Sequence, residues 1–318
     1  MNYQIPESLK PLYPKVPYHN LAHTESFDWE SCPSGNAYWA AVFHDFVYNP
    51  KVKGLEGNEL ASYKAFESYM RNKGDYYLAF PNYDQVKKLI MSTMDHVKYF
   101  DPDDEDMVWL HTNDLFCFRD GANVYENELK IFKEYQFTKF DFYKERRLEL
   151  LKYYRKHPLV HSEKIDEIEN YFSNFIPHIG LFVGSFNPFT RGHFDILQQA
   201  EKVFDKVIIA QGQNEEKETN NYSLHNVKAL EYHELDSYEG SLFSYVDRKK
   251  KELGNITLVR GLRNYHDLHD ESNLFNFAKD YTDVPFAYFI SKSENLHISS
   301  GAVRKLISLG KDVKEYLP

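Results

Sequence analysis

Two short stretches hold most of the residues able to do chemistry. The first, FVGSFNPFTRGH (Phe182 to His193), places two glycines, Ser185, Thr190 and His193 directly behind an apolar run. Read as strand, turn and helix start, it offers unpaired backbone N–H groups at the positive end of a helix dipole, a setting for phosphate. Gly184 and Gly192 let backbone approach a ligand closely, and Ser185, Thr190 and His193 add donors. The second stretch, PYHNLAHT (Pro17 to Thr24), sets His19 and His23 four apart, on one face if helical. His44 and Asp45 follow in AAVFHDFVY, then His96 in STMDH and Asp114 in TNDLF. Two or three imidazoles with carboxylates suit a borderline divalent metal, beside which a water becomes a nucleophile near neutral pH. Each stretch alone also has an ordinary explanation. A polar turn with a capping Thr accounts for the first, and structural histidines, in a chain with 14 of them, account for the second.

The elements that must carry these groups differ between the two halves. Through about residue 160 the apolar spacing is helical, in AYWAAVFHDFVY, NELASYKAFESYM, YDQVKKLIMSTMDHVKYF and KERRLELLKYYRKHP. Gly, Pro and Asn punctuate between them. A charged segment, HSEKIDEIENYFSNF, then leads to Pro177. Beyond it, IGLFV and KVIIA read as short buried strands, and NITLV and PFAYFI as further strands. Between the first two, Phe194, Leu197, Ala200, Val203 and Phe204 form one helix face, the βαβ pattern. The fold class expected is two domains, an all-α domain over 1–165 and an α/β Rossmann-like domain with a parallel sheet over 176–318.

Bulk properties set limits. The chain has 318 residues, 42% of them hydrophobic, enough for two cores. Its net charge of −10 argues against coating a nucleic acid, which needs a broad basic surface. There is no membrane-length apolar run and no signal-peptide pattern, and two cysteines make a disulfide framework improbable. A cytoplasmic protein is expected, with neither nucleic acid nor membrane as partner.

In the second half, the groups that would meet a polyphosphate recur at successive strand ends. Lys217 follows the second strand, Arg260 and Arg263 end another in LVRGLR, and HISSGAVR sets Ser299 and Ser300 at a helix start. Open α/β sheets bind ligands in such a crevice. These residues resemble the phosphopantetheine adenylyltransferases of the nucleotidylyltransferase superfamily, through GSFNPFTRGHFDIL, FDKVIIA, LVRGLR, ISS and LGKDVKEYLP. The resemblance implies adenylyl transfer from ATP to 4′-phosphopantetheine, a step of coenzyme A biosynthesis, with Mg²⁺ as helper and a homo-oligomeric assembly. It makes His193, Lys217 and Arg260 catalytic. Ser185, Thr190, Gly192, Arg263, Glu271, Ser299 and Ser300 would bind ATP and acceptor. Three features depart from the pattern: Asn187 stands where the family carries Asp, Gly301 replaces a third serine, and the segment from Leu224 to Arg260 is short. GSFNP and ISSxxVR are also similar to nicotinate and nicotinamide mononucleotide adenylyltransferases, so NMN is the alternative acceptor.

The first half resembles the HD superfamily of metal-dependent phosphohydrolases, through YHNLAH, FHDFVY, NELAS, TMDH and a later Asp, over about residues 8 to 160. The resemblance implies metal ligands His23, His44, Asp45 and Asp114, with Mn²⁺, Fe²⁺, Co²⁺ or Zn²⁺ as the ion. His19 would act as general acid or phosphate contact, by likeness to cyclic nucleotide phosphodiesterases. His96 and Glu59 would support the ligands from behind. The substrate is some phosphate ester or nucleotide. The whole reads as a bifunctional enzyme; in the competing reading one domain is a catalytically silent binding or assembly module.

Overall fold

The computed structural model of the chain describes residues 3–52, 57–73, 81–119, 121–213 and 222–318. They form two compact units, one comprising Met1–Glu134 with Phe140–Asn174, the other Tyr135–Lys139 with Phe175–Pro318. No helix among the described residues is long and apolar enough to cross a membrane.

The first unit is helical: α1 (Leu21–Glu25), α2 (Gly35–Phe43), α3 (Asn58–Lys73), α4 (Tyr83–Ser92), α5 (His96–Tyr99), α6 (Glu105–Asp114), α7 (Val124–Glu134), α8 (Phe140–Tyr154) and α9 (Ser162–Asn174). Short polar residues start most of them. Asn20, Ser34, Asn82, Asp95 and Asp104 each accept hydrogen bonds from backbone N–H groups of the turn that follows. Helix α2 is apolar all round, with Ala37 through Phe43 buried, so it runs through the middle of the unit against α3, α4 and α6. It stops at Phe43, short of the helix expected through Tyr48, and this delivers His44 and Asp45 at its inner end.

Other expectations are corrected here. The helix read over 83–100 is broken, because Asp95 caps a new turn by accepting from Lys98 N–H at 3.0 Å; His96 is thereby turned inward. His19 and His23 do not share a helix face, since Asn20 is the cap and α1 begins only at Leu21. The charged segment after residue 161 is α9, which buries Ile165, Ile168 and Phe172 and packs on α7 and α8. The division between units falls after Asn174.

The second unit holds a sheet of parallel strands, β1 (Ile179–Gly184), β2 (Lys206–Gln213), β3 (Glu234–Glu239), β4 (Ile256–Leu262) and β5 (Phe286–Ile290), in the order β3-β2-β1-β4-β5. The period-2 alternation of β1 and β2 feeds two cores. Phe182, Val207 and Ile209 pack with Ile196, Leu197 and Phe204 on one side; Ile179, Leu181, Val183 and Ile208 pack with Tyr245 and Val246 on the other. Helices α10 (Arg191–Ala200), α11 (Leu242–Leu253), α12 (Tyr265–Ala278) and α13 (Ser300–Ser308) complete it. Strand β3 was not expected. Its sequence, ELDSYE, is polar because it is an edge strand with no fully buried residue. With β1 central and its neighbours reached by crossovers in opposite directions, the strand tips of β1 and β4 flank the topological switch point.

Candidate functional sites

At that switch point lies a cavity of about 400 Å³. Three separated stretches line it: Phe182 to His193, Arg260 to Glu271, and Ser291 to Arg304. Ser185, Thr190, Gly192, His193, Arg260, Arg263, Glu271, Ser299 and Ser300 are all among the lining residues. Lys217 lies outside the described residues.

Several of these groups are already engaged. Thr190 caps α10, and His193 Nδ1 accepts from Thr190 N–H at 3.0 Å, which closes a capping box. Nδ1 being the acceptor, the ring hydrogen sits on Nε2 and is available as a donor at the cavity. Burial, with help from the Arg263 charge, lowers the His193 imidazole to about 4, so it is neutral at physiological pH. Ser299 caps α13, accepting from Ala302 N–H at 3.1 Å, and Ser300 donates to the Pro188 carbonyl at 2.8 Å. Ser300 therefore holds α13 against the SFNPF turn, while Ser299 starts the helix. Gly184 is explained by packing rather than by a ligand: a Cβ there would stand 2.8 Å from the Phe186 ring, whose residue itself has a left-handed φ of 43°. At Gly192 such a Cβ would meet the Ile298 carbonyl at 3.6 Å, an ordinary contact, so packing alone does not require glycine there.

The cations come with counter-charges. Arg260 pairs with Glu271 through Nε to Oε2 at 2.8 Å and through Nη2 to Oε1, and its Nη1 donates to the Val183 carbonyl at 3.1 Å. Arg263 donates to Asp267 from its backbone N–H (2.9 Å), Nε (2.8 Å) and Nη2 (2.9 Å). Although burial opposes it, that hydrogen bonding keeps the Asp267 carboxyl below its usual range. Arg304, which sequence reasoning did not single out, lines the cavity and donates to the Asn187 carbonyl. Its signal was its place four residues past Ser300 on α13, one helical turn on the same face. Three guanidiniums, a neutral imidazole donor and a helix start together form a cradle for a polyanion.

In the first unit, His23, His44, Asp45 and Asp114 come together as the sequence pattern predicts, with one potential ligand atom from each, all within 4.8 Å of one another. They arrive from three places: His23 from α1, His44 and Asp45 from the inner end of α2, and Asp114 as the last residue of α6. His23 Nε2 is 3.0 Å from Asp114 Oδ1, and His44 Nε2 is 3.6 Å from the same oxygen. His44 Nδ1–H donates to the Ala41 carbonyl at 2.8 Å, which turns Nε2 toward the cluster. His44 Nε2 and Asp45 Oδ2 stand 3.1 Å apart, both buried and neither hydrogen-bonded. Buried polar atoms left so are expected where an ion satisfies them, and two imidazoles with two carboxylates are a donor set for a borderline divalent metal. Burial alone would lower the His44 imidazole, but Asp45 and Asp114 hold it well above its usual value. The residues present fit a metal.

Beside the cluster, His19 Nδ1 meets Glu134 Oε2 at 2.6 Å, and Glu134 Oε1 accepts from the backbone N–H groups of Tyr18 and His19 at 2.7 and 2.8 Å. The His19 ring stacks on Tyr48 with centroids 4.2 Å apart. Burial works to lower this imidazole too, yet Asp45 and Glu134 raise it. Glu134 was not anticipated; it lies 115 residues from His19, with no local motif to announce it. His96 meets Asp114 Oδ2 at 2.7 Å, and burial, helped by the charges of Asp45 and Asp114, raises the Glu59 carboxyl.

A parallel sheet whose switch point carries a phosphate-suited helix start and converging arginines defines a nucleotidyltransferase domain, and residues 181–306 match the family of cytidylyltransferase-like proteins. The chain is 37% identical over 145 residues to a phosphopantetheine adenylyltransferase of Streptococcus pneumoniae (strain JJA), covering 44% of this chain and 90% of that one. It is 35% identical over 148 residues to a phosphopantetheine adenylyltransferase of Porphyromonas gingivalis (strain ATCC BAA-308 / W83), covering 44% of this chain and 94% of that one. Among solved structures, a bifunctional NMN adenylyltransferase/ADP ribose pyrophosphatase from Francisella tularensis, complexed with AMP and a Mn ion, aligns with a TM-score of 0.31 at 17% identity, over 44% of each chain. Through its C-terminal half, the chain belongs to the phosphopantetheine adenylyltransferase family.

Proposed function

We propose that the C-terminal unit transfers AMP from ATP to 4′-phosphopantetheine, giving dephospho-CoA and pyrophosphate. The observation that carries this reading is the meeting of His193, Arg260, Arg263 and Arg304 with the start of α10 in one cavity. The acceptor is already an anionic phosphate, so an acceptor oxygen bonds to the α-phosphorus as the bond to pyrophosphate breaks, without a covalent enzyme intermediate. Catalysis is then in-line positioning and charge neutralisation. His193 Nε2–H donates to an α-phosphate oxygen, the α10 start and the arginines bind the remaining phosphates, and Ser185, with Lys217, serves the acceptor phosphate. Mg²⁺ enters with the triphosphate as part of the substrate. Purified protein and His193→Ala should be incubated with ATP, Mg²⁺ and 4′-phosphopantetheine, with NMN in a parallel tube, and the products weighed by mass spectrometry. Dephospho-CoA from the intact protein alone is expected. Adenylation of NMN instead would change the acceptor, and no product from either would end the reading.

The buried, unsatisfied atoms of His44 and Asp45 favour a second activity, an HD-type phosphohydrolase in the helical unit. His23, His44, Asp45 and Asp114 would hold the ion, which when bound polarises a phosphate ester and lowers the pKa of a water. His19, held by Glu134 and raised by its carboxylate neighbours, gives a proton to the departing alcohol. Manganese-dependent hydrolysis of bis-p-nitrophenyl phosphate, lost in Asp114→Ala, is the expected result. Equal turnover by that variant would refute it.

A further inference from the structure

The two oxygens of Asp114 have different neighbours. Oδ1 faces His23 Nε2 at 3.0 Å and His44 Nε2 at 3.6 Å, whereas Oδ2 lies 2.7 Å from His96 Nε2. His96 can therefore be one of two things: a ligand to a second ion shared through Oδ2, or a donor that fixes the carboxylate. A second ion caged by protein side chains would need further ligands close to that pair. Among the described residues, His23, His44, Asp45 and Asp114 are the one set of three or more imidazoles, carboxylates or thiolates placed to share an ion, and His96 is not in it.

The surroundings of His96 favour the donor. Its Nδ1 is buried and has no hydrogen-bond partner. With the hydrogen on Nε2, that enclosed position carries only a lone pair, and the ring's one donor meets Asp114. The ring packs edge-on against His111, centroids 4.6 Å apart, and against Tyr154 at 6.0 Å. His111 is itself fixed. Ser92 Oγ donates to the Leu89 carbonyl at 2.6 Å and so accepts from His111 Nε2–H at 2.8 Å, while His111 Nδ1 takes a hydrogen from His157 Nε2 at 3.3 Å. The backbone under His96 is anchored as well, because its cap Asp95 accepts from the Tyr153 hydroxyl at 3.0 Å. A ring held from so many sides is built to orient something.

We propose that His96 is a positioning residue: it donates Nε2–H to Asp114 Oδ2, leaves only Oδ1 to face the cluster, and so restricts the centre to a single metal ion. This rests on the metal-centre reading above. The test is a Mn²⁺ titration of the metal-stripped full chain without nucleotide, read by calorimetry and by electron paramagnetic resonance, with Asp114→Ala run to subtract any ion bound elsewhere. One Mn²⁺ per chain and the spectrum of an isolated ion are expected. His96→Ala should weaken binding ten- to a hundredfold at unchanged stoichiometry. His96→Gln, whose amide can still donate to Oδ2, should recover most of the affinity; should His96→Ala not fold, the glutamine variant carries the test. Two ions with an exchange-coupled spectrum, one of them lost in His96→Ala, would make His96 a ligand and overturn the proposal. A glutamine variant as weak as the alanine one would also overturn it. Wild-type protein that binds no Mn²⁺, or an Asp114→Ala variant that binds as tightly as wild type, would instead remove the metal centre itself.

Discussion

Glu271 holds Arg260 by both carboxylate oxygens, and the same guanidinium reaches across to the Val183 carbonyl, so α12 is tied through β4 to the tip of β1. The pair presents Arg260 to the cavity in a set orientation. Arg260→Met should lower kcat/KM for adenylyl transfer on the order of 10²–10³-fold, the range for loss of one preorganised donor to a developing charge. Glu271→Ala should cost less, and the double variant should be no worse than Arg260→Met alone, because the two residues act as one device. Steady-state kinetics on the three variants decide it; full additivity would mean that they act separately.

The neutral state of His193 fixes a pH dependence. Its folded-state value, about 4, lies below the roughly 6.5 of an unfolded histidine. The unfolded chain thus binds the extra proton first, and the stability linked to His193 is complete above pH 6.5 and declines as pH falls toward 4. Denaturant unfolding of the second unit at pH 7 and pH 5 should show a larger loss in the wild type than in His193→Gln. For the same reason His193 should produce no inflection near pH 6.5 in kcat.

Metal binding should stabilise the helical unit. A ligand at about 100 times its Kd contributes about 2.7 kcal/mol to the state that binds it. A rise of several degrees in Tm on adding Mn²⁺ to stripped protein is therefore expected, and none in Asp114→Ala. A shift of equal size in both would place the ion somewhere else.

Arg147 and Glu128 form an ion pair deep in the first unit, 8% and 1% exposed, joined by Nε to Oε2 at 2.8 Å and Nη2 to Oε1 at 2.5 Å. Removing one charge strands the other. Arg147→Met should destabilise by about 3–5 kcal/mol, and Arg147→Met with Glu128→Met by clearly less. Chemical denaturation measures both; a double variant weaker than the single would contradict the argument.

How far the sequence could be read depended on whether a residue's role was local. Thr190 and His193 sit on one turn, and their spacing announced both the helix start and its phosphate-suited end. Four of the five strands were legible because each is an apolar run, β5 included although it is an edge strand; β3, the other edge, was missed because its sequence is polar. The meeting of His23, His44, Asp45 and Asp114 was expected from their order along the chain, whereas Glu134 reaches His19 across 115 residues. The break after Ser92 hung on a single cap, Asp95, inside an unbroken apolar pattern. Ser299 and Ser300 were expected at a nucleotide site and they line the cavity, but the hydrogen bonds that occupy them became visible only once α13 lay against the turn at Pro188.

The parallel sheet sets its strand tips on one rim and its apolar side chains in two layers behind them. Selection on catalysis and selection on folding therefore act on different atoms. Drift in the turns after β1 and β4 can change which acceptor is adenylated while the interior stays as it is, and drift in the interior can alter lifetime without touching chemistry. A chain arranged this way can acquire a new substrate by small steps, each passing through a protein that still folds.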